Sequence, residues 1–199
     1  MSSKKLLIPL LAILTSFLVF PASSTAGSLS GKKILLIIAP GDFRDEELFD
    51  TWEVLEKAGA SISIASRNTG EFKGMLGKKA SATVKLSEIQ TADYDAVVFI
   101  GGSGAATYID DKKAHAIALE AVKKNKILAA ICIAPAILAK AGVIKGKKAT
   151  VWAGAKGTVT ASGALYRESP VVVDGKIVTA SGPAAAVEFG KSIKQLLEK

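Results

Sequence analysis

Short apolar runs alternate with longer amphipathic stretches along most of this chain. "KKILLIIA" (Lys32 to Ala39) is a brief apolar run bounded by Gly31 and Pro40, which predicts a buried strand. "RDEELFDTWEVLEKAG" follows with helical periodicity and a stop at Gly59. At 100° per residue, Glu46, Asp50, Glu53 and Lys57 form a solvent face, and Leu48, Trp52 and Leu55 a core face. "SISIAS" and "AVVFI" predict two further strands, joined by a variable Gly/Lys-rich connection. Beyond Gly101 come a helix in "DKKAHAIALEAVKKN", a strand in "ILAAI", a helix in "APAILAKAG" and a short strand in "ATVW". "PVVVDGKIVTA" has Asp-Gly between two apolar runs, a hairpin signal. From Pro183 onward, Phe189, Ile193 and Leu196 share one face of a last helix.

Strands alternating with helices imply βαβ units and a largely parallel sheet covered on both faces. Ligands in such folds bind beyond the carboxyl ends of the strands. Three turns at that edge therefore matter: "APGDFRDEE", "GGSGAA" and "CIAP".

The chain has 199 residues, 49% apolar and 22% charged, which suits one domain with a full core. Its start differs from the rest. Lys4 and Lys5 precede an apolar stretch from Leu6 to Phe20, and small residues end at Ala26. That stretch is shorter than the roughly 20 residues of a membrane-spanning helix. Residues 1–26 are expected to be a cleaved secretory signal, with an uncleaved anchor as the lesser option, and residues 27–199 a single exported domain. Loss of Lys4 and Lys5 and of no acid lowers the net charge from +8 to +6. The lysines are scattered beside turns and are not interleaved with aromatics, so no nucleic-acid partner is expected.

Cys132 is the only cysteine and His115 the only histidine. An intramolecular disulfide is excluded, and a Cys/His zinc site is out of reach. Neither a metal nor an organic cofactor is called for: the "GGSGAA" turn lacks the third glycine of a dinucleotide loop, and there is no phosphate-binding G-x-x-x-x-G-K-[ST].

Cys132 falls between a strand and a helix that Pro135 is suited to open. Unpaired amides there favour a thiolate, which predicts a thiol pKa below the free value of about 8.5. A buried, inert cysteine is the competing reading. Glu47 lies on neither face of its helix but on the flank with Thr51, Val54 and Ala58. A favourable charge at a helix start accounts for Asp45 and Glu46, not for an acid on an apolar flank.

"GDFRDEELFDTWEVLEKAG", "FIGG", "AAICIAPAILAKAG" and "PVVVDGKIVTASGPAAAVEF" together resemble the ThiJ/PfpI family, the superfamily of the parkinsonism-associated deglycase and class I glutamine amidotransferase-like proteins. The resemblance covers residues 32–199. It implies a flavodoxin-like α/β sandwich with the cysteine on a strained strand-to-helix turn, a nucleophile elbow. It also implies Cys132 as the reactive thiol, Glu47 as the acid beside it, Gly102 and Ile133 as backbone N–H donors, and a homodimer. Three positions depart from the family pattern. Ile133 stands where peptidase-like members have a histidine, Trp152 where deglycase-like members often have one, and Ser181 where an arginine lies near the subunit contact. His115 is expected to be structural.

The expected function is glyoxalase- or deglycase-like action on a small electrophile through Cys132, with Glu47 moving a proton. The alternative is a non-catalytic stress or redox-sensing module with an oxidisable cysteine. Peptidase activity is not expected.

Overall fold

The computed structural model describes residues 27–199. The expected signal and its cleavage point after Ala26 lie outside the described residues. Among the described residues, no helix is long and apolar enough to cross a membrane.

The chain runs β1 (Lys33–Ile37), α1 (Asp45–Lys57), β2 (Ser61–Ser66), β3 (Gly70–Lys73), β4 (Lys79–Ala82), β5 (Val84–Lys85), β6 (Ala96–Phe99) and α2 (Lys112–Lys123). It continues with β7 (Ile127–Ile131), α3 (Pro135–Lys140), β8 (Lys148–Ala149), α4 (Lys156–Ala161), β9 (Leu165–Tyr166), β10 (Val171–Asp174), β11 (Ile177–Ala180) and α5 (Ala186–Leu197). Seven strands form one sheet in the order β10-β11-β7-β6-β1-β2-β5. All neighbours are parallel except the β10–β11 hairpin, where Gly175 takes φ 62° after Asp174.

Apolar runs in the central strands follow from burial on both faces. Ile34 and Leu36 of β1 point into a core with Leu48 and Leu55 of α1 and Phe189 and Ile193 of α5. Leu35 and Ile37 point the other way, toward Ile117 of α2 and Ile137 and Leu138 of α3. The flank of α1 carrying Thr51 and Val54 is what packs on α5. The Thr51 hydroxyl donates to the Ala186 carbonyl at 3.4 Å, and a Cβ on Gly190 would lie 3.0 Å from Val54.

After β1 the chain moves outward to β2, whereas β6 returns on the other side of β1. The loops leaving β1 and β6 therefore diverge and open a crevice at their carboxyl ends.

Three elements differ from expectation. The connection after β2 is no simple loop: it holds the β3–β4 hairpin and the edge strand β5. "ATVW" is strand only at Lys148–Ala149, which pairs with β9 outside the main sheet. Its later residues bond elsewhere: Thr150 N–H donates to the Thr179 hydroxyl and Trp152 N–H to the Cys132 carbonyl. α4, built on "KGTVTA" with its glycine and two β-branched threonines, lacks the propensity that would have marked it.

Candidate active site

β7 ends at Ile131 and α3 begins at Pro135, with Cys132 between them at φ 63°. A non-glycine residue in the left-handed region carries roughly 1–2 kcal/mol of strain and needs its surroundings to hold it. Those surroundings are two backbone bonds. Cys132 N–H donates to the Ala180 carbonyl at 2.9 Å, and Cys132 C=O accepts from Trp152 N–H at 2.8 Å. β11 and the segment after β8 thus pin the turn, and the half-buried thiol faces a pocket of about 500 Å³.

Glu47 enters from the first turn of α1 and is fully buried. Its Oε2 accepts from Gly101 N–H at 3.0 Å. Gly101, just past β6, separates the two side chains. A Cβ there would stand 2.5 Å from Glu47 Oε2 and 2.6 Å from Cys132 Cβ. The absence of a side chain at position 101 is therefore what lets thiol and carboxyl meet. Gly102 has φ 99°, and a Cβ on it would lie 2.4 Å from both the Asp42 carbonyl oxygen and the Arg44 nitrogen. The Gly102 and Ile133 backbone N–H groups lie near the Cys132 sulfur and favour its ionised form.

Burial pushes the Glu47 carboxyl up to about 7; Cys132, the Gly101 N–H and the charge of Arg44 pull the other way. Burial first, then the negative charge of Glu47, pushes the Cys132 thiol up to about 12, against the pull of the Gly102 and Ile133 amides. This corrects the expected low-pKa thiol. The N-cap of α3 is Ala134, so Cys132 sits short of the helix end, with an acid beside it. The two groups titrate as a pair, with steps near 7 and near 12, and between those values they hold one proton. Above pH 7 Glu47 is thereby poised as a base for the thiol.

Several parts of the site escaped the sequence reading. Asp45, read as a helix-start charge, is buried, and its carboxylate accepts the N–H groups of Leu76 and Lys78 at 2.8 Å each. That fixes the β3–β4 turn over the pocket, where Met75 forms a wall and its sulfur accepts Ser103 N–H at 3.5 Å. Trp152 forms another wall, 49% exposed at the mouth. Arg44 lines the same pocket. His115 is on α2, its Nε2 2.6 Å from the Ile109 carbonyl oxygen, and does not line the pocket.

A flavodoxin-like sheet with a strained cysteine at the end of a central strand, and a buried glutamate reaching it across a glycine, defines the class of this molecule. The chain belongs to the DJ-1/PfpI family, which it matches over residues 32–196. An uncharacterized protein of Methanocaldococcus jannaschii is 37% identical over 95% of this chain and 94% of its own. A deglycase of Pyrococcus horikoshii is 29% identical over 82% of this chain and 99% of its own. A glutathione-independent glyoxalase of Caenorhabditis elegans is 26% identical over 84% and 89%. The crystal structure of a ThiJ/PfpI domain protein from Brachyspira murdochii superposes with a TM-score of 0.82 at 31% identity, covering 84% of this chain and 98% of that one.

Proposed function

We propose that this protein acts on small reactive carbonyl compounds, in the manner of a glyoxalase or deglycase, through Cys132 and Glu47. The observation that carries this reading is the buried Glu47 carboxyl, pushed up to about 7, set against the Cys132 thiol across Gly101. A group with that pKa is suited to take and return a proton at neutral pH. As sulfur closes on an aldehyde carbon, the thiol proton passes to Glu47 and the C=O π pair moves onto oxygen. Oxygen then takes the proton from Glu47, giving a neutral hemithioacetal. The Gly102 and Ile133 amides support the negative charge that builds during the step. Going on from a 2-oxoaldehyde to a hydroxy acid requires a proton moved between adjacent carbons and one water added, and Glu47 is the group placed to move that proton.

The proposal extends to the setting: an exported protein, working as a homodimer. The family names and the site support the chemistry; residues 1–26 are the ground for export.

The test is disappearance of methylglyoxal with the wild type and with Cys132→Ala. Turnover lost in the variant supports the reading. No turnover, with Cys132 readily oxidised by peroxide, would overturn it in favour of redox sensing.

A further inference from the structure

We propose that Arg44 is a carboxylate receptor in this pocket, so that the site favours electrophiles with a carboxylate beside the reactive carbonyl, 2-oxo acids of which glyoxylate is the smallest. The substrate half of this inference rests on the carbonyl reading above; the Arg44 half rests on its placement.

Arg44 breaks two local rules. It occupies the N-cap of α1, a position favouring Ser, Thr, Asp or Asn, and its side chain makes no capping bond. It also sets a cation at the positive end of a helix dipole. Residues that break local preference without local gain point to a functional demand.

The surroundings supply that demand. The pocket wall is otherwise largely apolar, from Met75, Ile133 and Trp152, and Glu47 is its only other charged residue. Arg44 is the one cation lining it among the described residues. The side chain is held in place: Nε and Nη2 donate to the two carboxylate oxygens of Glu46 at 2.8 and 2.9 Å, with 29% of the Arg44 side chain exposed. Nη1 has no partner among the described residues, so the guanidinium is both fixed in direction and open along one edge. A preorganised guanidinium edge matches a carboxylate in geometry and charge. Gly102 ties this wall to the thiol, because its close approach to the Asp42–Arg44 backbone leaves no play between the two loops. Arg44 and Cys132 line one pocket, so a carboxylate on Arg44 would keep the adjoining carbonyl in the same cavity as the thiol.

Glu46 limits the attraction. Hydrogen bonding to Arg44 holds its own carboxyl below the usual range, so it stays ionised and offsets part of the arginine charge. The two residues should therefore act in opposite directions.

The experiment compares alkylation of Cys132 by iodoacetate and by iodoacetamide, reagents of similar size that differ in charge. With one cysteine in the chain, every thiol adduct is at Cys132. Relative to wild type, the iodoacetate-to-iodoacetamide rate ratio is expected to fall about tenfold in Arg44→Gln, the scale of one charge-assisted hydrogen bond. It is expected to rise severalfold in Glu46→Gln. An unchanged ratio in both variants would overturn the proposal. If neither reagent labels the thiol, calorimetric titration with benzoate against benzamide decides. Benzoate weakened selectively by Arg44→Gln supports the receptor, and equal affinities throughout overturn it. Both reagents alkylate at the iodomethyl carbon and not at a carbonyl carbon, so absence of methylglyoxal turnover would overturn the carbonyl reading and not the part given to Arg44.

Discussion

Glu47 is fully buried with its carboxyl raised to about 7, and that has a cost as well as a use. A carboxyl whose folded pKa exceeds its unfolded value of about 4.5 binds its proton more tightly in the native state. The stability this gives is complete below pH 4.5 and is lost as pH rises through 7. Glu47→Gln carries no such burden. The variant is expected to match wild type in thermal melts at pH 4 and to exceed it at pH 8 by up to about 3 kcal/mol, from 1.36 kcal/mol per pKa unit. The same substitution removes a negative charge that raises the thiol. Alkylation of Cys132 by iodoacetamide at pH 8 should therefore be faster in Glu47→Gln, although proton transfer is lost. Equal melting differences at both pH values, or slower alkylation, would contradict this account of the pair.

Among the elements, Gly101 and Gly157 make a controlled comparison. A Cβ at 101 meets Glu47 Oε2, Cys132 Cβ and the Ile131 carbonyl oxygen, all within 2.8 Å, and none can yield without moving the site. Gly101→Ala is expected to destabilise by about 1–3 kcal/mol, as overpacking does. At Gly157, in α4, a Cβ meets nothing within 4 Å. Gly157→Ala should stabilise by roughly 0.5–1 kcal/mol through helix propensity. Chemical denaturation measures both. Elements whose periodicity reflects a buried face were legible in the sequence: β1, β7, α1 and the β10–β11 hairpin all fall where the pattern puts them. The β3–β4 hairpin was not, because it is anchored by Asp45 accepting two amides from a segment some thirty positions on, and no local pattern records such a contact. The site divides the same way. Cys132, Glu47, Gly102 and Ile133 lie together, and the apolar flank around Glu47 was the visible signal. Gly101 was visible only as half of a double glycine, and the charge state of the pair depends on burial, which spacing does not convey. Arg44 was detectable at the sequence level as the wrong residue for a helix start.

For the molecule as a whole, the lone histidine sets a limit. Amide hydrolysis must protonate a poor leaving amine, a task cysteine peptidases give to a histidine. His115 is engaged at the Ile109 carbonyl on α2, away from the pocket, and Ile133 and Trp152, which line the pocket beside Cys132, carry no group that could shuttle a proton. Protein purified as residues 27–199 is expected to leave unfolded casein intact over hours. Cleavage that disappears in Cys132→Ala but persists in His115→Ala would show that thiol and carboxylate suffice for peptides.

The most direct test of proton sharing between Cys132 and Glu47 is the pH profile of methylglyoxal turnover, kcat/KM measured from pH 5 to 9. Ionised Glu47 is the competent base, so the wild-type rate should rise tenfold per pH unit and level off near 7, where the carboxyl titrates. Glu47→Gln should lose both the rate and the inflection while keeping an alkylatable thiol. A profile that climbs steadily through pH 8 and 9 as a free thiol would, or a Glu47→Gln enzyme that turns over as fast as wild type, would contradict it.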